Sequence, residues 1–271
     1  LQALLTATNI ALTISFLLYA SWSDYKTREV SNIVWIIYAP LSLSISLANI
    51  LLYEPSRLLF FGLSFGVTTI IAVLLFYTGG FGGADSKALM CIALALPFST
   101  ERVITPFIPN GVSPLSQIIF PITIFSNSVL LAAATAVYLL FYNIIWHAKS
   151  KRKIFEGTLD HEPLAKRLLT LITGRKTAIN ELKEKWHIYP MEDIEEETAN
   201  NQLTRHLVII PRDEGRDEIV NRLSEAVKTG KITDRVWATP GLPMLVFVTI
   251  GVVVSLLFGD IVWVLVTSVL G

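Results

Sequence analysis

Charge is scarce in this 271-residue chain: only 16% of its residues are Asp, Glu, Lys or Arg, against about 25% in ordinary soluble domains. The two signs cancel to a net charge of +0, so composition gives no electrostatic footprint for a nucleic-acid partner. One cysteine, Cys91, is present, which excludes an internal disulfide and a cysteine-built zinc site. It stands in an apolar run with no histidine near it in sequence, and reads as a small buried hydrophobe. Residues 1–23 contain neither Lys nor Arg. A secretory signal would carry a basic start, so the first apolar stretch is read as a retained membrane helix. Residue 1 is not Met, and the native start is expected upstream of it.

What is there is apolar: 52% hydrophobic residues, with a mean hydropathy of +0.56. Apolar runs cover residues 3–22, 33–52, 58–78, 86–98, 118–146 and 241–269. A membrane span needs about 20 such residues. The fourth run is short, bounded by Asp85 and Pro97, but its neighbours on both sides are spans. The expected fold class is an α-helical polytopic membrane protein with six transmembrane helices. Residues 1–146 carry helices one to five, residues 147–238 a small cytoplasmic α+β domain, and residues 239–271 the last helix.

The soluble stretch reads by ordinary rules. "EPLAKRLLTLITG" is helical with a Gly stop, and "RDEIVNRLSEAVKTGKI" is an amphipathic helix closed by Gly230. "RHLVIIP" and "KITDRVWATP" read as extended segments, and "MEDIEEETANN" as a mobile acidic loop. Six spans place Lys26, Arg28, Lys87 and the 147–238 domain on one side, with Arg57 and Arg102 on the other. The basic cluster Lys149, Lys151, Arg152, Lys153 marks the first side as cytoplasmic. Both termini are then outside.

Two carboxylates stand out. Asp24 ends the first span in "YASWSDYKTREVSN", and Asp85 opens the fourth after "GGFGGA". Both fall at cytoplasmic ends of membrane helices, where an ionisable group is costly and points to function. Brought within hydrogen-bonding reach, two carboxylates share one proton. The charged one takes a proton from water while the neutral one donates to a peptide carbonyl. Gly79, Gly80, Gly82 and Gly83 permit sharp turns and close approach of a substrate backbone. The dipole of the fourth helix favours a negative Asp85, which assigns the resting proton to Asp24. Ser21, Ser23 and Ser86 flank the pair as orienting hydroxyls or helix caps, Lys87 as an interfacial cation, and Asp260 as a residue of the far interface. No His-x-x-x-His spacing is present, so no metal or cofactor is expected. An acidic run from Glu192 to Glu197 offers a surface for a basic peptide.

These segments resemble known ones. "GGAD", Gly82–Asp85, resembles the GxGD signature of intramembrane aspartyl proteases. "DYKTREVSN", Asp24–Asn32, resembles the first catalytic segment of type IV prepilin and archaeal preflagellin peptidases, in which an Asn opens the second helix. "WATPGLPMLVFVTIG", Trp237–Gly251, resembles their last span. Ala84 stands where the family often has Gly, and Ser31 where many members have Pro. The resemblance implies catalysis by Asp24 and Asp85, with Gly82, Gly83, Ala84 and Asn32 shaping the backbone or binding substrate. It implies an aspartic endopeptidase that removes short basic leaders from preflagellin or pilin-like precursors, embedded in the lipid bilayer of the cytoplasmic membrane. The cysteine-rich zinc loop of bacterial methylating relatives is missing, so no methyltransferase activity is expected. Two other classes compete: a proton-coupled transporter, whose carboxylates belong near the midplane, and a non-catalytic assembly protein of an appendage or secretion machine.

Overall fold

A computed structural model describes residues 1–108, 111–150, 153–197, 202–209, 215–241 and 243–270. The chain is mostly helical and divides into two compact units, residues 1–132 with 243–271, and residues 133–242.

The first unit contains α1 (Gln2–Thr27), α2 (Asn32–Tyr53), α3 (Leu58–Tyr77), α4 (Gly83–Ala95) and α5 (Pro114–Ile118), and the first part of α6 (Phe120–Ser150). Among the described residues four helices are long and apolar enough to cross a membrane, in the stretches Gln2–Thr27, Asn32–Tyr53, Pro55–Tyr77 and Phe120–Lys149, and a bent pair near the end of the chain makes a fifth if it counts as one span. Exposed Leu, Ile and Phe along them are what a lipid-facing surface requires. The fourth apolar run forms only the 13-residue α4, about 20 Å at ~1.5 Å per residue, against a hydrocarbon core of about 30 Å. It stops at Leu96, ahead of Pro97, because the residue before a proline disfavours helix.

Short as it is, α4 is the centre of this unit. Ser86, Ala88, Leu89, Cys91, Ile92, Ala93 and Ala95 are all buried, and the helix packs against α1, α2 and α3. Its small residues let the neighbouring backbones approach closely. The core they share includes Leu17, Ala20, Trp35, Tyr38, Ala88, Ile92, Leu245 and Val252. Cys91 is buried among them, as its apolar setting implied.

The last apolar run is broken. α10 (Met244–Phe258) and α11 (Ile261–Leu270) meet at a bend of 57°. Gly259 has φ 81°, and a Cβ there would collide with the Gly111 carbonyl. Asp260, read from the sequence as a residue of the far interface, has a structural role inside the protein. It is buried, accepts from Ser113 Oγ at 2.7 Å, and caps α11 by accepting from the Trp263 amide at 3.0 Å. Asn127 closes the break from the other side. It donates to Ser255 Oγ and the Gly259 carbonyl, both at 2.8 Å, and accepts from the Ile261 amide at 3.1 Å. Asn127→Ala orphans these buried groups, each worth about 1–3 kcal/mol. The expected outcome is a thermal midpoint in detergent several degrees below wild type.

The second unit holds the remainder of α6, α7 (Leu164–Thr173), β1 (Arg175–Ala178), α8 (Ile179–Glu184), β2 (Ile188–Pro190), β3 (Glu192–Glu197), β4 (Gln202–Leu207), α9 (Arg216–Lys228) and β5 (Arg235–Pro240). β5 lies between β1 and β2, antiparallel to both, while β3 and β4 form a separate hairpin. The expected acidic loop is therefore a strand across most of its length, with residues 198–201 outside the described ones. Its first two carboxylates are committed to the fold. Glu192 is fully buried; it accepts from Arg205 Nη2 at 2.7 Å and from the Trp237 amide at 2.9 Å. Asp193 is held by both forks of Arg222, at 3.0 and 2.6 Å. The leader-binding surface imagined there loses those two groups.

Lys176 lies beside the Glu192–Arg205 pair, its Nζ 5.2 Å from the Trp237 ring centroid and without a hydrogen-bond partner. Burial pushes its amine below the ordinary lysine value of 10.5; Arg205 adds to this, while Glu192 and Glu156 oppose it. Between its folded value and 10.5 the unfolded chain binds more protons than the folded one, so stability rises with pH through that window. Thermal midpoints measured from neutral to alkaline pH are expected to show the rise in wild type and to lose part of it in Lys176→Met.

Candidate active site

Three helix ends meet around the two aspartates. Asp24 lies in the last turn of α1. The chain then turns at Arg28, the one non-glycine with positive φ (57°) among the described residues, whose amide donates to the Asp24 carbonyl at 3.0 Å. Ser23 Oγ and Thr27 Oγ1 both donate to the Glu29 carbonyl, at 2.6 and 3.1 Å, and tie the loop back onto the helix. Ser31 then caps α2, accepting from the Ile33 amide. A hydroxyl at this position is a favoured helix start.

Asp85 is reached through the glycine-rich segment. The amides of Gly80 and Phe81 both donate to the Leu75 carbonyl, at 2.8 and 3.0 Å, and cap the end of α3. Gly79 supplies the required left-handed turn with φ 76°. Phe81 anchors the segment by burying its ring edge-on against Phe125, 5.6 Å between centroids. α4 then begins, with Asp85 in its first turn accepting from the Gly82 amide at 3.0 Å. A Cβ on Gly82 would come within 3.1 Å of the Asp85 carboxylate, so glycine keeps that approach open. Gly83 has no such demand: a Cβ there would meet only Phe76 at an ordinary 3.7 Å. Ala84 packs on the bundle core.

The Leu245 amide, in the first turn of α10, is directed at the Asp24 carboxylate, while Asp24 and Arg28 both act electrostatically on Asp85. The two aspartates thus share one neighbourhood, both half-buried, each facing a helix amino end whose unpaired amides favour negative charge. Asp24 also sits in the last turn of α1, whose dipole opposes a negative charge, so the preference for a charged Asp85 is weakened by α10 but not removed.

The serines work on backbone. Ser21 Oγ bonds the Leu245 carbonyl at 2.9 Å and Thr249 Oγ1 at 2.6 Å, fixing α1 to α10. Ser86 Oγ donates to the Ala72 and Gly82 carbonyls, at 3.1 and 3.2 Å. Lys87 donates to Asn32 Oδ1 at 2.7 Å, which links the starts of α4 and α2 and gives Asn32 a defined place beside the site. Sequence reasoning passed over Arg28 as a topology residue; its one signal was its position four residues after Asp24. Leu245 carried no signal, since only its main chain is used. No three of the described His, Cys, Asp or Glu side chains come together as a metal-holding group.

Tyr19, Trp22, Tyr25 and Tyr77 are exposed near the ends of α1 and α3; amphipathic rings of this kind are enriched at membrane–water boundaries. Lys26 reaches over the Trp22 ring at 5.0 Å.

The type IV leader peptidase family (Peptidase A24) matches residues 11–145, and the archaeal Peptidase A24 C-terminal type II domain matches residues 166–261. The chain belongs to the type IV leader peptidase family. Relatives of the whole length include a preflagellin peptidase of Methanococcus voltae, 24% identical over 90% of this chain and 92% of its own. A preflagellin peptidase of Methanococcus maripaludis is 22% identical over the same shares, 90% and 92%. An uncharacterised protein of Methanocaldococcus jannaschii is 25% identical over 85% of each chain. Family membership and the apolar helices make this leader peptidase a membrane protein and a protease.

Proposed function

We propose that the chain is an aspartic endopeptidase that cuts short basic leaders from preflagellin or pilin-like precursors at the cytoplasmic face of the membrane, with Asp24 and Asp85 as its catalytic pair. What supports this reading is that α1, which carries Asp24, packs against α4, which carries Asp85, and that the two half-buried carboxylates lie close enough for Asp24 to act electrostatically on Asp85. There one proton is shared between them. The ionised carboxylate draws a proton from an attacking water, and the protonated one donates to the scissile carbonyl. Gly82 and Gly83 leave room for an extended substrate backbone. Asn32, held by Lys87, and Ala84 border the site.

The same reading places α4 in the membrane as a sixth inserted helix, with both termini outside and residues 147–238 in the cytoplasm. The precursor presents its basic leader to the cytoplasm and its apolar segment to lipid, which puts the bond between them at the depth of the aspartates. A carboxylate relay for transport would lie nearer the midplane.

The test is direct. Membranes containing the wild-type protein, mixed with a preflagellin precursor, are expected to shorten it by the leader length. A mass-spectrometric product ending elsewhere than at the leader junction, or no product, rejects the assignment of substrate.

A further inference from the structure

At the opposite end of the same bundle lies a second polar site. It is a cavity of about 90 Å³ between the start of α1, the end of α2 and the segment that follows α4. Asn9, on its wall, is fifteen positions before Asp24 on one helix, about 22 Å away at ~1.5 Å per residue, so the cavity is separate from the aspartates.

Its polar groups are arranged with acceptors inward and cations outward. Asn9 is 2% exposed. Its amide nitrogen donates to Ser46 Oγ at 2.9 Å, and Ser46 in turn donates to the Leu94 carbonyl at 2.6 Å. Asn49 donates to Thr6 Oγ1 at 3.0 Å, and Thr6 donates to the Gln2 carbonyl at 3.3 Å. Each hydroxyl hydrogen is thus committed elsewhere, so each hydroxyl accepts and each carboxamide has its orientation fixed. Asn9 Oδ1 and Asn49 Oδ1 are left buried with no donor. Unpaired buried acceptors of this kind call for a partner, at a cost of about 1–3 kcal/mol each if none comes.

Toward the surface, Arg57 and Arg102 converge on Glu54. Glu54 also accepts from Gln2 Nε2 at 2.9 Å, so its oxygens are occupied. Arg57 stacks on Phe98 at 5.1 Å. Both guanidiniums remain substantially exposed, at 43% and 66% of the side chain, and two cations surround one anion. That balance disfavours a metal ion or an ammonium group and suits an anion at the mouth.

We infer that this cavity binds a phosphate ester of a polyol, with hydroxyl groups donating to Asn9 and Asn49 and the phosphate on Arg57 and Arg102. The same chemistry is found in a hydroxylated phospholipid headgroup and in the free ester; the position at the ends of membrane helices favours the lipid. The cavity has space for a small polyol, since by the same measure of volume a single water needs only about 10–15 Å³.

The test uses the full-length protein, delipidated in detergent and followed by native mass spectrometry. Phosphatidylglycerol, phosphatidylcholine and free glycerol 1-phosphate are added separately. Phosphatidylglycerol is expected to be retained at roughly fivefold lower concentration than phosphatidylcholine, which lacks hydroxyl donors, as one or two net hydrogen bonds predict. Binding of glycerol 1-phosphate at comparable concentration assigns the site to the free ester instead, and its failure assigns it to the lipid. Arg102→Gln, at an exposed position, is expected to weaken retention without loss of precursor cleavage, and Asn9→Ala to abolish the preference between the two lipids. Equal retention of both lipids by wild type, or retention unchanged in both variants, overturns the proposal and leaves a cavity filled by water alone.

Discussion

Asn in place of either Asp24 or Asp85 is expected to lower precursor cleavage by about 10²–10⁴-fold, the contribution of general acid–base catalysis, since neither half of a shared-proton pair can substitute for the other. The change is nearly isosteric. An amide oxygen at position 85 can still accept from the Gly82 amide, and one at position 24 can still face the Leu245 amide, so the bundle is expected to survive. Cleavage is measured in membranes with matched protein levels, and thermal midpoints of the purified variants report on folding. Cleavage within tenfold of wild type in either variant, with an unchanged midpoint, would remove the pair from the mechanism. The double variant is informative as well: groups that act as one unit give losses that do not add, so it should be no slower than the worse single one.

The second large effect concerns stability. Glu192→Ala removes the one buried anion that meets Arg205 and the Trp237 amide, and leaves Arg205, only 7% exposed, without compensation. Breaking a buried pair on one side costs about 3–5 kcal/mol. Lys176, already disfavoured by burial, loses an attractive neighbour at the same time. The expected outcome is early proteolysis of residues 133–242 in the full-length protein, at denaturant concentrations that wild type resists. Asp193→Ala is the contrasting case. Its pair with Arg222 has good geometry, but Arg222 is 45% exposed, and such a pair is worth about 1 kcal/mol or less. Similar behaviour of the two variants would mean that the Glu192 pair contributes no more than a surface contact.

The difference between these two glutamate-strand positions also explains what could be read in advance. "MEDIEEETANN" was opaque because its acidic residues look alike in sequence. Which of them is buried depends on Arg205 and Trp237, distant positions that only the folded sheet brings together. The amphipathic helices α7 and α9 were legible from local periodicity and their glycine stops, and so were the long spans. The break at Gly259–Asp260 was not, because an apolar run carries no mark of a bend that is set by Gly111 and Asn127 elsewhere in the chain. At the site, the two aspartates were visible because charge is rare there. Arg28 was hidden among ordinary loop cations, and the Leu245 amide has no side-chain signature at all.

A helix of 13 residues in place of a full span gives this protein an uneven hydrophobic height. Beyond Ala95 the chain continues as irregular backbone, and it is sheltered there: Ser64 Oγ donates to the Pro97 carbonyl at 3.0 Å, the Phe120 amide to the same oxygen at 3.1 Å, and the Ser99 amide to Ser116 at 3.1 Å. Unwound peptide groups at membrane depth are tolerated only when protein wraps them. With α4 inserted as proposed, this wrapping keeps lipid from the helix that carries Asp85, and water reaches that carboxylate along a wall of protein instead of through acyl chains.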